Sequence, residues 1–251
     1  MAGAMKPFKQ RLDLLLVERG LFQSREKAQR AIMAGLVRVG DSLADKSGTR
    51  VPQDAVITVK QECRYVGRGG LKMEAAIKHF GVDPTGRVCL DIGASTGGFT
   101  DCLLQHGAAK VHAIDVGHSQ LDWKIRSDPR VVVREKLNAR YLTREDIPDP
   151  IDICVIDVSF ISLTLILPAA FPLLVPGGVI LMLIKPQFEL SKEDVDAGHG
   201  VVRDPVAHQR AVDKIEQFVG QCAGLSWDGV IDSPILGGEG NREFLACLRR
   251  I

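Results

Sequence analysis

A glycine-rich turn runs Asp91-Ile92-Gly93-Ala94-Ser95-Thr96-Gly97-Gly98-Phe99-Thr100 and decides the fold of this chain. The apolar run 87–90 before it is typical of a short buried strand, and residues 101–105 after it begin a helical pattern. Strand, turn and helix in this order form the unit in which an open α/β sheet meets a nucleotide or nucleoside. A second acid, Asp115, ends the next apolar run, where such sheets hydrogen-bond a ribose. The pattern predicts a nucleoside site.

Two features of the turn narrow the ligand. Ser95 takes the place of the middle glycine in the dinucleotide pattern G-x-G-x-x-G, and Asp91 stands two residues before Gly93. A carboxylate at that point would repel a pyrophosphate but would receive the ammonium group of an amino acid. S-adenosylmethionine carries a ribose at one end and an amino acid at the other, so we predict it as the cofactor. The alternative is an ordinary glycine-rich turn without a ligand.

The charge of the chain is balanced overall but unevenly distributed. Residues 1–72 contain 14 Lys and Arg against 7 Asp and Glu, a net charge of +7, whereas the remainder carries a net charge of −6. This asymmetry favours a basic unit that meets a polyanion, joined to a neutral or acidic domain. Scattered, solvated lysines are the alternative.

The six cysteines form no C-x-x-C pair, which argues against a zinc site or a disulfide framework. We therefore expect no metal and a cytoplasmic location.

One uncharged stretch, 160–184, has the length of a membrane span. Pro168, Pro172 and Pro176-Gly177-Gly178 interrupt it, so we predict a buried helix, a Pro-Gly-Gly turn and a buried strand over 179–184, with no stable membrane insertion.

The first 60 residues have the pattern of a small α+β unit. An apolar helical stripe covers 11–20, Ser24 is placed to cap a second helix over 25–34, and strands are predicted at 36–41 and 56–59. Cations on and after the second helix could follow a phosphate backbone or could simply be solvated.

This unit resembles the RNA-binding domain named after a small-subunit ribosomal protein, which pseudouridine synthases and tyrosyl-tRNA synthetase also contain. The matching residues are Arg11-Leu12-Asp13, Ser24-Arg25, Ala28, Ile32, Gly35, Val37 and Val39-Gly40. The resemblance implies an RNA-binding domain over 6–62. With the linker cations added, the candidate RNA-binding residues are Arg11, Arg25, Lys27, Arg30, Arg38, Arg64 and Arg68.

A linker is predicted at 63–70 and a second domain at 71–251. Its alternating apolar strands, near 87–91, 111–115, 131–134, 152–157 and 179–184, are separated by helical runs. This alternation indicates an α/β fold, a doubly wound, mostly parallel Rossmann-like sheet, with the small α+β domain at its N-terminus.

Two further polar residues end predicted strands. Asp157 follows one strand and Lys185 the next, and ligands of parallel sheets bind beyond these carboxyl ends. A partly desolvated lysine at that edge could take a proton from a hydroxyl group, and the aspartate would orient it. The alternative is a structural Asp–Lys salt bridge.

Four motifs together resemble the TlyA group of FtsJ-like ribosomal RNA 2′-O-methyltransferases, also called haemolysin A. They are Asp91–Phe99, Asp157-Val158-Ser159-Phe160, Lys185-Pro186-Gln187-Phe188-Glu189 and Gly240-Asn241-Arg242-Glu243-Phe244. The resemblance covers essentially the whole chain. It implies methyl transfer from S-adenosylmethionine to a ribose 2′-hydroxyl of ribosomal RNA, with cytidine as the nucleoside. Ribosomal subunits are the expected partner, because a basic second module implies recognition at a distance from the reacting ribose.

The resemblance also implies a catalytic tetrad of Lys72, Asp157, Lys185 and Glu243, in which Lys185 is the base. Glu239 is a rival for Glu243. The predicted cofactor-binding residues are Asp91, Gly93, Ala94, Ser95, Thr96, Gly97, Gly98, Phe99, Asp115, Asn138 and Asp157.

Other functions remain as alternatives. A cytosine-ring methyltransferase would need a positioned nucleophilic cysteine, and an amine methyltransferase would need an Asn/Asp-Pro-Pro-aromatic loop in place of residues 157–160. A membrane-lytic protein and a non-catalytic RNA-binding factor are the remaining classes. The sequence leaves the oligomeric state open.

Overall fold

The computed structural model describes residues 8–60, 64–196, 198 and 200–251. The chain divides into two compact units, Met1–Cys63 and Arg64–Ile251. The predicted domain boundaries at residues 6, 62 and 63 lie outside the described residues.

The first unit packs two helices on short antiparallel strands. Its elements are β1 (Lys9–Arg11), α1 (Leu12–Glu18), α2 (Arg25–Met33), β2 (Val37–Val39), β3 (Ser42–Leu43), β4 (Arg50–Pro52) and β5 (Ile57–Val59). As predicted, Ser24 caps α2, where its side chain accepts a hydrogen bond from the N–H of Lys27. Strands β1, β3 and β4 were not predicted: they are two or three residues long and, unlike β2 and β5, contain at most one Val, Ile or aromatic residue.

The second unit is an α/β sandwich. Its elements are α3 (Gly69–Phe80), β6 (Val88–Ile92), α4 (Gly98–Gln105), β7 (Lys110–Asp115), α5 (Trp123–Arg126), β8 (Val131–Glu135), β9 (Ile151–Ile156), α6 (Leu167–Ala170), β10 (Leu174–Ile184), α7 (Pro186–Glu189), α8 (Lys192–Asp196), α9 (Pro205–Gln221), β11 (Leu225–Asp232) and β12 (Phe244–Arg250). Short 3-10 helices cover Ala139–Tyr141, Leu163–Leu165, Phe171–Leu173 and Gly238–Gly240.

One seven-stranded sheet organises this unit, in the order β11-β12-β10-β9-β6-β7-β8. Strands β10, β9, β6, β7 and β8 are parallel, while β12 runs antiparallel to both β10 and β11. Along β10, Ile180 and Met182 face one apolar core, whereas Leu181 and Leu183 face the other. The sheet is therefore covered on both sides, which confirms the predicted doubly wound, mostly parallel architecture.

Three local predictions differ from the structure. Helix α3 begins at Gly69, and Tyr65 is buried in one core of the second unit, so most of the predicted linker belongs to that unit. Strand β10 begins at Leu174 and absorbs the Pro176-Gly177-Gly178 turn as an irregularity in its pairing with β9. The predicted buried helix is broken into the short helices of 163–173, because Pro168 and Pro172 remove backbone donors.

Strands β11 and β12 were also absent from the prediction. Among the described residues, no helix is both long and apolar enough to span a bilayer.

Candidate active site

The candidate site lies where the parallel strands end. Asp91, Asp115, Asp157 and Lys185 stand at or directly beyond the carboxyl ends of β6, β7, β9 and β10. Parallel neighbours end at the same edge of a sheet, which brings these side chains to one crevice.

The direction of β12 adds Glu243 to this edge. Ile184, the last residue of β10, pairs with Phe244, the first residue of β12. Since the two strands are antiparallel, the residue before β12 lies beside the residue after β10. Glu243 therefore reaches the edge where Lys185 stands.

Glu243 forms a buried ion pair with Lys72 of α3. The Nζ atom of Lys72 lies 2.5 Å from Oε2 of Glu243, and both residues are buried. A buried charge is stabilised only when it is paired, so each residue makes the burial of the other possible. Glu239 is exposed, and the structure thus favours Glu243 over this rival.

Lys185 is held by two groups beyond β9. Its Nζ lies 2.6 Å from Oδ1 of Asp157, an ion-pair distance without hydrogen-bond alignment, and donates a hydrogen bond of 2.9 Å to Oγ of Ser159. Asp157 and Lys72 both border a cavity of about 220 Å³. One member of each lysine–carboxylate pair therefore borders this cavity.

Ser159 belongs to a motif noted in the sequence, but no role was predicted for it. Its position two residues after Asp157 could have indicated that its side chain lies near that of Lys185.

The turn after β6 carries the cofactor prediction. Gly93 has φ of 85°, and a Cβ there would lie 2.2 Å from the carbonyl oxygen of Asp157. Only glycine fits this close approach. Six residues of the turn line the smaller cavity: Gly93, Ala94, Ser95, Thr96, Gly98 and Phe99. Gly97 does not; it packs towards Leu121 and Ile125.

Asp91 is fully buried, with one oxygen satisfied and one not. Oδ2 accepts a hydrogen bond of 2.6 Å from the hydroxyl of Thr100, a role that the sequence did not reveal. Within the described part of the chain nothing donates to Oδ1. Burial raises the pKa of Asp91 to about 7, and the carboxylates of Asp157 and Asp115 act in the same direction. An orphaned carboxylate oxygen fits the ammonium group of an amino acid.

A second, larger cavity of about 490 Å³ adjoins this turn. Asp115, Asn138 and Asp157 border it together with apolar side chains that include Leu137 and Ile166. Polar groups at the rim of an apolar cleft are suited to a nucleoside.

Asp115 orders this cavity through backbone amides. Its two oxygens accept hydrogen bonds from the N–H groups of Ser95, at 2.8 Å, and Gly117, at 2.7 Å. Each carboxylate oxygen keeps a lone pair for a ribose hydroxyl. Asn138 accepts a hydrogen bond from the N–H of Arg140 and so caps the 3-10 helix that follows.

Comparison with known proteins places the chain in a family. A family model described as FtsJ-like methyltransferase matches residues 65–250, and one described as S4 domain matches residues 10–57. The chain belongs to the FtsJ-like methyltransferase family. It is accordingly a methyltransferase, and its methyl donor is S-adenosylmethionine.

Proteins that match nearly the whole chain support this assignment to the family. "Putative rRNA methyltransferase YqxC" of Bacillus subtilis (strain 168) is 51% identical over 96% of this chain and 85% of its own length. "16S/23S rRNA (cytidine-2'-O)-methyltransferase TlyA" of Mycobacterium tuberculosis (strain ATCC 25618 / H37Rv) is 45% identical over 95% of this chain and 89% of its own. A solved structure, "Putative hemolysin from Streptococcus thermophilus", is 44% identical, with a TM-score of 0.74 over 98% of this chain and 90% of that one.

Two predicted RNA-binding residues of the S4 domain have structural partners. Arg11 and Arg25 each lie 2.9 Å from Oδ2 of Asp13, which is fully buried at the start of α1. Their guanidinium groups are only half-buried, so their outer faces remain available to a phosphate.

The other predicted cations are more exposed. Arg30 and Arg38 are exposed, and Lys27 donates a hydrogen bond to the side chain of Gln23. In the methyltransferase unit, Arg64 pairs with Glu74 and Arg68 borders the smaller cavity.

Proposed function

We propose that this FtsJ-like methyltransferase transfers the methyl group of S-adenosylmethionine to the ribose 2′-hydroxyl of a cytidine in ribosomal RNA. The names of the TlyA relatives support the substrate, since they describe rRNA (cytidine-2'-O)-methyltransferases. The S4 domain supports an RNA partner.

A single observation carries the proposal. Two lysine–carboxylate pairs, Lys72–Glu243 and Lys185–Asp157, stand at the edge of the sheet where the cofactor turn begins, and Asp157 borders both cavities. A ribose hydroxyl is a weak acid, and its attack on an electrophile requires a group that removes its proton. A lysine held beside a carboxylate supplies such a group without a metal.

Lys185 acts as the base in this proposal. The ammonium group of Lys185 first releases a proton to solvent. The neutral amine then accepts the 2′-hydroxyl proton, and Asp157 stabilises the ammonium ion that re-forms. Ser159 fixes the direction of the amine through its hydrogen bond. S-adenosylmethionine, when bound, supplies an electrophilic methyl group on a sulfonium.

Lys72 and Glu243 hold the sugar. The pair is buried, and Lys72 borders the smaller cavity, so the amine of Lys72 is presented there in a position that Glu243 already fixes. Orientation of this kind accounts for a large part of the rate in two-substrate reactions.

The test of the function is transfer of labelled methyl from S-adenosylmethionine to unmodified ribosomal subunits, followed by alkaline hydrolysis. A 2′-O-methyl group blocks cleavage of the adjacent phosphodiester, so label in alkali-resistant dinucleotides is expected. Label in ordinary mononucleotides would instead assign the methyl group to a base. A short hairpin is expected to be a poorer substrate than the subunit, because the S4 domain implies contacts away from the reacting ribose.

Substitution of the base is the first prediction. We expect Lys185→Ala to lower kcat by at least about 100-fold, the usual contribution of a general base, with S-adenosylmethionine binding preserved. Lys78→Ala is the matched control, since Lys78 is an exposed lysine on α3. Transfer at the wild-type rate by Lys185→Ala would rule out this assignment.

A further inference from the structure

The segment between Asp157 and Leu163 positions the amino group of Lys185. Lys185 belongs to the end of β10, yet both groups that hold its Nζ, Asp157 and Ser159, come from this segment. The ring of Phe188 lies farther away, with its centroid 5.9 Å from Nζ. The position of the amine therefore depends mainly on the position of this segment. We refer to residues 157–163 as the base loop.

The base loop adopts an unfavourable conformation. Phe160 has φ of 62°, a left-handed value that residues other than glycine and asparagine rarely adopt. Phe160 is also 90% exposed. Burial of the ring therefore does little to stabilise this turn. Strained turns persist when surrounding contacts impose them.

Glu189 supplies such contacts at the far end of the base loop. Its carboxylate is almost fully buried; Oε1 accepts a hydrogen bond of 2.8 Å from the N–H of Leu163, and Oε2 accepts one of 2.5 Å from the hydroxyl of Ser162. Glu189 ends α7, the short helix that begins directly after Lys185. The same helix also presents Phe188, whose ring centroid lies 4.9 Å from that of Phe160.

A third element fixes the carboxylate. Lys214 of α9 donates from Nζ to the backbone oxygen of Glu189, at 2.6 Å, and to its Oε2, at 3.1 Å. The negative charge of Glu189 is therefore paired, as a buried carboxylate requires.

We propose that Glu189 is a positioning residue for the base: it closes a ring of contacts from Lys185 through α7 to Ser162 and back through the base loop to Lys185. This role rests on the proposed function of Lys185. Loss of the carboxylate would let the base loop relax and would move the amine from the line of proton transfer. Displacement of a reacting group by about 1 Å lowers rates by roughly 100-fold.

Glu189→Gln tests this role. The glutamine amide has the shape of the carboxylate, and its oxygen can still accept the hydrogen bond from the N–H of Leu163. It carries no negative charge to pair with Lys214, and its NH₂ group would face the hydroxyl of Ser162. We expect kcat to fall by about ten- to 100-fold, with KM for the ribosomal subunit and Kd for S-adenosylmethionine within about twofold of wild type. Glu216→Gln, at an exposed position on α9, is the control with unchanged kinetics.

The kinetic split separates positioning from ordinary stabilisation. All variants are assayed well below their melting temperatures, and rates are normalised to folded protein. A residue that only stabilises the fold would lower Tm and leave kcat at its wild-type value; that result would overturn the role. Should Glu189→Gln fail to fold, Ser162→Ala replaces it. This change removes the contacts of the Ser162 hydroxyl with Glu189, Thr164 and Lys214 and spares the hydrogen bond from Leu163 to Glu189. A lower kcat for Ser162→Ala supports the role, and an unchanged kcat overturns it.

The same assay distinguishes this role from the underlying function. A wild-type enzyme that binds S-adenosylmethionine but yields no alkali-resistant label would refute ribose methylation, and the role of Glu189 with it. An active wild type, an inactive Lys185→Ala and a fully active Glu189→Gln would refute the positioning role alone.

Discussion

Asp91 shows how a single buried carboxyl group couples pH to stability and binding. Its pKa is raised to about 7 by burial and by neighbouring carboxylates. The folded protein therefore holds a proton that the unfolded chain releases near pH 4. Stability from this group is fully present below the unfolded pKa and is lost as pH rises towards 7.

Replacement of Asp91 by asparagine should remove this dependence. Without cofactor, we expect the free energy of unfolding of wild type to fall relative to Asp91→Asn by about 3 kcal/mol between roughly pH 5 and pH 8. Urea unfolding at the two pH values measures it. Asp45→Asn, at an exposed position, should track wild type. Parallel curves for wild type and Asp91→Asn would show that Asp91 is charged throughout.

The same residue predicts a pH dependence of cofactor binding. The ammonium group of S-adenosylmethionine favours the charged carboxylate, so below pH 7 binding must displace a proton. Affinity should rise by up to about tenfold per pH unit below pH 7 and then level off. Calorimetry in buffers of different ionisation enthalpy would detect the released proton. Binding without proton release would mean that the ammonium group pairs elsewhere.

Gly237 limits the space around Glu243. A Cβ at Gly237 would lie 2.0 Å from Oε1 of Glu243, whereas a Cβ at the next residue, Gly238, meets nothing within 4 Å. We expect Gly237→Ala to displace Glu243 from Lys72 and to lower kcat by roughly tenfold or more, with a far smaller loss for Gly238→Ala. Steady-state methylation assays compare the two. Equal losses would mean that the glycines act through chain flexibility.

At the scale of elements, Asp13 joins the two helices of the S4 domain. It lies in α1 and is fully buried, and it accepts hydrogen bonds from Arg25 and Gln29 of α2 as well as from Arg11. The pKa of Asp13 is held well below its usual range, mainly by the hydrogen bond from Arg11. Burial alone would raise this pKa. The stability that results is present above the unfolded pKa of about 4 and is lost as pH falls below it.

Asp13→Asn should loosen this pair of helices. The change leaves two guanidinium groups without their anion, and we expect a loss of about 2 kcal/mol in the stability of this unit. Hydrogen exchange should rise across α1 and α2 and stay constant in β6 to β10. Asp41→Asn, at an exposed site of the same unit, is the control. Unchanged protection in α1 would show that the helices are held by their apolar contacts alone.

The elements also show which parts of the fold the sequence could predict. Strands β6, β7, β9 and β10 were found because they are buried in the middle of the sheet and appear as apolar runs. Strand β8 lies at the edge and is only partly buried, but it begins with three consecutive valines. Strand β11 contains Gly229 at a shift in its register with β12, and β12 ends in Arg249 and Arg250. Neither has a clear alternating pattern, and their pairing depends on residues far apart in the chain.

At the scale of the whole molecule, the excess of positive charge and most of the proposed active site lie in different parts of the sequence. The basic excess lies in residues 1–72, while the proposed cofactor turn and three members of the proposed tetrad belong to the net-negative remainder. Arg30→Gln with Arg38→Gln should weaken RNA binding and lower the slope of log K against log salt by about 0.7 to 0.9 per lost contact. Kd for S-adenosylmethionine should not change. Lys78→Gln with Lys192→Gln is the control pair in the second unit. An unaltered salt slope for the arginine variant would place the RNA contacts elsewhere.

The tetrad marks the limit of local sequence patterns. Asp157 and Lys185 were predicted from their places at strand ends, which a sequence reveals directly. Lys72 was not predicted in this way, because in the sequence it looks like a surface lysine of a helix. Its buried partner, Glu243, lies 171 residues away in the chain. Its assignment came only from the resemblance to a family.

The close approach of Gly93 to the backbone of Asp157 has a genetic consequence. A side chain at position 93 would push apart the turn proposed to hold the methyl donor and the residue proposed to orient the base. Alleles with such a change should therefore behave as complete nulls, which neither a raised cellular concentration of the donor nor overproduction of the RNA could suppress. A single substitution at position 93 should therefore impair the use of both substrates.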